Sequence, residues 1–268
     1  MVEEYITVPN PSVPGIPGVL VVPSNPQSAV LLLHGLFGSK DEYNDAYRKL
    51  AADLSEAVIA SLRIDFRGHG DSGAALAEYT SQSQALDAVY AFDWLRGRLP
   101  DLPTSVLATS FGAAAGITLA TVRDEVVTTL VLVAPVLDYA RTFLYPTTEW
   151  GNDLFGIKRV AESVQSGLPL EDGYTLSPEA TVDLLDVNPG SALPRLGHKD
   201  VHILHGERDS LVPHEISIDV ARELDWIDLH IMPNTDHGLA EVGDASRSSA
   251  QTRKNIARVI RYLRRSDE

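Results

Sequence analysis

Three residues of the 268-residue chain combine the types and order needed for nucleophilic catalysis: Ser110, Asp209 and His237. The segment SVLATSFGAAAG, residues 105–116, begins as a β-rich run, reaches Ser110 and continues into a helix whose first turns carry little side-chain bulk. A serine on such a strand-to-helix elbow projects its hydroxyl above a sheet, and small residues two before and two after it relieve the crowding of the turn. Ala108 and Gly112 stand there, with Ala where glycine is usual. A hydroxyl needs a base to take its proton, and a histidine base needs an acid to hold its tautomer. His237 in NTDHGL and Asp209 in GERDSLVP each follow a predicted strand. Asp236 adjoins His237, but neighbouring side chains on a loop diverge, so Asp209, arriving from another strand end, is the preferred acid.

Two further segments bear on the same chemistry. His34-Gly35-Leu36-Phe37-Gly38 follows a predicted strand and can present the Leu36 NH over Ser110; the Phe111 NH, at the start of the helix, is a second donor for an oxyanion. DFRGHGDSG, residues 65–73, reads as a tight glycine-rich turn in which Asp65 and His69 are structural, as is His34. His205 and His214 flank Asp209 and read as packing or surface residues. The scattered histidines show no zinc-ligand spacing.

The elements that must position these residues follow from hydrophobic rhythm. Short apolar runs at 18–22, 29–34, 57–64, 105–109, 129–134, 200–205 and 227–232 alternate with amphipathic stretches near 43–56, 81–98, from 110, 214–224 and 248–265. That pattern predicts an α/β fold, a mostly parallel sheet with helices on both faces. The rhythm stops at Pro135: residues 137–196 hold many Gly, Pro and Asp, no clear strand, and six of the 18 aromatics. They are expected to form a cap between two parts of the core, residues 1–136 and 197–268. Rings bury large areas at little entropic cost, so Tyr139, Phe143, Tyr145 and Trp150 are expected to bind substrate.

Composition narrows the partners. Twenty-two Lys and Arg against 37 Asp and Glu give a net charge of −15, which repels nucleic-acid backbones and anionic membrane surfaces. The absence of cysteine excludes thiolate nucleophiles, thiolate metal sites and disulfides. The first residues carry two Glu and several prolines where an export signal would carry a basic and then an apolar stretch, and no apolar run approaches the ~20 residues of a spanning helix. A cytoplasmic chain is expected, and a homodimer is compatible with the sequence.

HGLFG, DFRGHGDSG, ATSFG, HGERDSLVP and TDHGL stand where the α/β-hydrolase superfamily places its motifs, and the chain resembles that superfamily from about residue 18 onward. More narrowly it is similar to small bacterial carboxylesterases of the cinnamoyl or feruloyl esterase and monoacylglycerol-lipase type. The resemblance implies that Ser110 attacks an ester carbonyl, His237 relays the proton, Asp209 orients the imidazole, and the Leu36 and Phe111 NH groups bind the oxyanion. It calls for no metal or organic cofactor and for a small-molecule ester as partner. Ester hydrolysis, acyl transfer or thioester cleavage by the same triad, and a binding protein without turnover remain open. So does an aminopeptidase-like hydrolase whose cap acids, Glu149, Asp153, Glu162, Glu171 and Asp172, would face an α-amine.

Overall fold

A computed structural model describes residues 3–264. In chain order its elements are strands β1 (Glu3–Val8), β2 (Ile16–Val21) and β3 (Ser28–Leu33), helix α1 (Ala46–Glu56), β4 (Ile59–Ile64), α2 (Ser81–Arg98), β5 (Thr104–Thr109), α3 (Ala113–Val122) and β6 (Val127–Val133). After β6 come short pieces: α4 (Glu149–Leu154), α5 (Ile157–Ser163), the two-residue strands β7 (Leu168–Pro169) and β8 (Thr175–Leu176), and α6 (Pro178–Asp186). The chain closes with β9 (Asp200–Gly206), α7 (His214–Glu223), β10 (Asp228–Met232) and α8 (Ala250–Leu263).

Eight strands form one sheet in the order β1-β2-β4-β3-β5-β6-β9-β10. Pairing is parallel from β4 through β10 and antiparallel at β1-β2 and β2-β4. The central strands β3, β4 and β5 are buried at every position, as expected for parallel strands covered on both faces. Alternation divides the core. Leu31, Leu33, Val106, Ala108, Leu130 and Leu132 join the cluster that includes α2 and α3, whereas Val30, Leu32, Leu107, Val131 and Val133 join the one that includes α1 and α8.

The predicted fold class is what the structure shows, with differences at the edges. The sequence places no strand before residue 18, yet β1 pairs along β2 at the sheet edge. Only Val8 of β1 is buried, so the strand carries little apolar signal, and Glu3 is held by the buried Arg63 at 3.0 Å. Residues 137–196 contain one antiparallel pair, β7-β8, where none was expected. Among the described residues no helix is long and apolar enough to cross a membrane.

Candidate active site

Ser110 stands where β5 turns into α3, with φ +55°. That left-handed conformation costs a serine about a kcal/mol or more and is the strained elbow expected when a side chain is held out above a sheet. The departure from the usual glycine at position 108 is absorbed by the following helix: a Cβ at Gly116 would lie 2.8 Å from that of Ala108. A Cβ at Gly112 would meet the His34 carbonyl at 2.4 Å, so the helix start can press against the 34–38 loop only without a side chain there.

That loop is tied at several points. His34 is fully buried; its Nε2 accepts from the Phe66 NH at 3.0 Å, so its proton lies on Nδ1, which donates to the Gly35 carbonyl at 2.8 Å. Burial, with the neighbouring His69, pushes its pKa down to about 3, which agrees with a neutral structural ring. Lys40 donates from its backbone NH and its ammonium to the two oxygens of buried Asp65, at 2.7 and 2.8 Å, fastening the loop to DFRGHGDSG. Glu42 accepts the Gly35 NH on Oε1 at 2.7 Å, beside Leu36. Its carboxyl is pushed up by burial, against hydrogen bonds from Gly35 and Tyr43. Under the loop the Tyr47 hydroxyl donates to the Leu33 carbonyl at 2.8 Å and accepts from Thr109 Oγ1 at 2.7 Å.

Asp209 and His237, the expected acid and base, follow β9 and β10. Asp209 Oδ2 accepts from His237 Nδ1 at 2.7 Å. The same oxygen lies 3.1 Å from His205 Nε2, and Oδ1 accepts the Leu211 and Val212 NH groups, each at 2.9 Å. His205 Nε2 faces only acceptors, this carboxylate and the Val212 carbonyl, so it carries a proton, while Nδ1 meets Ser217 Oγ at 2.8 Å. Burial of Asp209 would raise its pKa, but His237 and His205 outweigh it and hold the carboxyl well below the usual range. Burial likewise works against a charged His237, and Asp209, then Glu42 and Asp236, overcome it, so the imidazole is raised above its ordinary value.

Asp236 is turned away from this pair: its Oδ1 accepts the Gly238 and Ala240 NH groups, at 2.9 and 3.2 Å, and so shapes the histidine loop. Buried Asn255 of α8 holds that loop through Thr235 Oγ1 and the Leu239 carbonyl, at 2.9 and 3.0 Å. The acid and histidine loops are joined by the Arg208 NH and Thr235 carbonyl at 2.9 Å.

Ser110, His237, Leu36 and Phe111 line one cavity of about 860 Å³. A hydroxyl, an imidazole oriented by a buried carboxylate, and two NH-bearing residues around one space can together activate a nucleophile and receive a developing oxyanion. Of the four cap aromatics expected at the substrate, Phe143 and Trp150 line the cavity and two do not. Tyr139 is fully buried, its ring stacked on Phe111 at 5.0 Å, so it supports the wall from behind. Tyr145 is 64% exposed and lies at a separate surface concavity. The π-helical turn Ala140–Leu144 sets these directions, and its phase is not readable from residue types. Of the cap acids, Glu171 lines the cavity and Glu149, Asp153 and Glu162 do not; the Asp172 side chain lies outside the described residues.

Glu42, Lys40 and Asn255 were not singled out from sequence, and His205, read as a packing or surface residue, is buried and donates to the Asp209 carboxylate at 3.1 Å. His205 alone left a signal, since a histidine at a strand end four residues before the acid can reach that carboxylate.

The family described as serine aminopeptidase, S33, matches residues 24–176, more than half of the chain. A relative, the sn-1-specific diacylglycerol lipase ABHD11 of Mus musculus, is 35% identical over 109 residues, covering 39% of this chain and 32% of the relative, so the match takes in about a third of that protein. Among solved structures, ferulic-acid-bound Est1E from Butyrivibrio proteoclasticus superposes with a TM-score of 0.76 at 18% identity, covering 96% of this chain and 99% of that one. The monoacylglycerol lipase of Paleococcus ferrophilus gives 0.69 at 17% identity, covering 92% and 98%. Identities this low speak for a shared fold.

Proposed function

Because the chain belongs to the serine aminopeptidase S33 family of α/β-hydrolases, we propose that it cleaves carboxylic esters of small to medium acyl or aryl substrates through an acyl-enzyme formed on Ser110. The observation that carries this reading is the 2.7 Å contact between Asp209 Oδ2 and His237 Nδ1 at the cavity that also holds strained Ser110. In the proposed cycle Ser110 Oγ attacks the carbonyl carbon and His237 Nε2 takes its proton. The Leu36 and Phe111 NH groups receive the oxyanion, and His237 returns the proton to the departing alkoxide; water, activated by the same imidazole, then releases the acid. Asp209, saturated by four donors, fixes the tautomer that leaves Nε2 free to act. Residues 137–196 act as the cap, with Phe143 and Trp150 toward the substrate. The lipase names among the similar proteins support an ester, and the missing cysteine leaves serine as the fitting nucleophile.

The test is steady-state hydrolysis of p-nitrophenyl esters and a hydroxycinnamate methyl ester by the purified chain, with products analysed with and without an added alcohol. Ester turnover by the wild type, and its loss in Ser110→Ala, is expected; no turnover of any ester by folded protein would end the reading. Capture of the acyl group by the alcohol in preference to water would make the protein an acyltransferase. Glu171 at the cavity favours one second reading, recognition of an α-amine as in an aminopeptidase. Aminoacyl-naphthylamides in the same panel decide it, because that reading requires their cleavage and its loss in Glu171→Gln.

A further inference from the structure

The cavity over Ser110 is not confined to one face of the sheet. Phe143, Val136 and Val212 among its lining belong to the core cluster on the α2 and α3 side, under the cap. Tyr47, Leu50, Leu107, Val133 and Leu239, also in the lining, belong to the cluster on the α1 and α8 side, and Ile256 of α8 packs against that cluster. The space therefore folds over the carboxyl edge of the sheet, with Ser110 at its crest, and continues as a slot between α1 and α8 that neither the cap nor the triad accounts for.

We infer that this slot seats the alkyl arm of an ester whose other arm lies beneath the cap, an inference that rests on the ester-hydrolase reading above. Its walls are aliphatic apart from Tyr47, whose hydroxyl is already engaged by Leu33 and Thr109 and so turns only ring toward the space. Water in such a slot finds few polar partners, whereas methylenes replacing it gain apolar contact. At the floor Leu107 and Val133 are 0% and 2% exposed, so the open part of the slot ends on them and its depth limits the length of arm it can seat. Charge lies around Arg247, which Asp236, Asp244 and Glu42 all influence. Three carboxylates to one guanidinium disfavour an arm that ends in a carboxylate. The cap wing, walled by the rings of Phe143 and Trp150, suits the bulkier arm.

The test uses two homologous series on the purified full chain, p-nitrophenyl acetate to decanoate for the acyl arm and methyl to decyl acetate for the alcohol arm. In one series kcat/KM is expected to rise about fourfold per methylene over the first several carbons, which also tells which arm enters the slot. Ile256→Trp places an indole in the slot from α8, and Leu50→Phe fills it from α1. Either variant, folded by near-ultraviolet circular dichroism, is expected to lower the long-to-short ratio in that series by about tenfold or more. Flat series in the wild type, a gain that survives in a folded variant, or an equal loss in both series would overturn the inference. The wild-type series stands as a test if neither variant folds. Failure of the slot is distinguishable from failure of the hydrolase reading, since acetate turnover and its dependence on Ser110 would persist in the first case and vanish in the second.

Discussion

The two sides of the cavity are built differently. On the sheet side, each group proposed to react sits at most a few residues beyond a strand end, and hydrogen bonds hold the surroundings: Asp209 by His205 and two backbone NH groups, the histidine loop by Asn255, the segment after β3 by Lys40 and Glu42. On the side proposed as the cap, between β6 and β9, the longest helix is the nine-residue α6 and the cavity wall is made by rings packed on rings, Phe143 on Phe155 at 4.7 Å and Trp150 on Phe155 at 5.3 Å. Directional bonds fix the chemistry where a displacement of an ångström is costly, and nondirectional packing forms the wall where shape alone matters. Substitutions on the sheet side should therefore act on turnover, and those on the cap side on selectivity or stability.

The largest effect expected is from Ser110→Ala, a loss of about a million-fold in kcat, with His237→Ala comparable and the double variant little worse, because such residues act as a unit. A cap variant with a similar loss on every ester would break the comparison. Next is Asp209→Asn, about 10,000-fold, the scale of tautomer loss in a serine protease. It also moves the pH profile. A protonated imidazole cannot take the serine proton, so in the wild type kcat/KM falls with acidification at a pH above the ordinary imidazole value, where His237 is held by Asp209. Without that carboxylate the burial that disfavours charge prevails and the acid limb moves to lower pH. Asp236→Asn, which keeps the oxygen that accepts Gly238 and Ala240, should cost less than about tenfold. Kinetics of the two variants across pH measure both claims, and the reverse ranking would transfer the acid's role to Asp236.

Smaller effects sharpen the contrast. His205→Leu removes one of the four donors on Asp209 and should lower kcat/KM about tenfold with KM little changed, since a net hydrogen bond to a charged group contributes about 1.5–3 kcal/mol and part is recovered by relaxation. On the cap side, Trp150→Ala and Phe143→Ala should change the order of preference among bulky esters more than acetate turnover. Tyr139→Ala should destabilise by about 3 kcal/mol, read from denaturant unfolding, with the ester profile kept. Tyr145→Ala, at an exposed position, should stay within about 0.5 kcal/mol and leave the profile alone.

The same division governs what the sequence disclosed. Helix α2 spans 81–98 as its periodicity predicts, with Ala85, Phe92 and Leu95 of the expected inner face buried and Val89 half-buried, while buried Ser83, Gln84 and Asp87 extend that face beyond what apolar spacing shows. The strand ends that carry Ser110, Asp209 and the approach to His237 were legible because apolar runs bounded by polar turns mark where the sheet stops. Edge strand β1 was not, since five of its six residues keep some exposure and its pairing is set by β2 and Arg63. Lys40 and Asn255 were missed for a related reason: their partners, Asp65 and the 235–239 loop, are brought to them only by the finished sheet, whereas Glu42 meets Gly35 through a fold of its own loop that residue types do not reveal. In the cap, residue types revealed that rings were plentiful, but short helices and a π-helical turn decided which of them face the cavity.

The central claim, that Ser110 is an activated nucleophile, is tested most directly by treating the folded chain with a fluorophosphonate and locating the adduct by mass spectrometry. The predicted result is a single adduct on the peptide bearing Ser110, absent in Ser110→Ala and formed far more slowly in His237→Ala. An adduct on another serine, or none on folded wild-type protein, would contradict it.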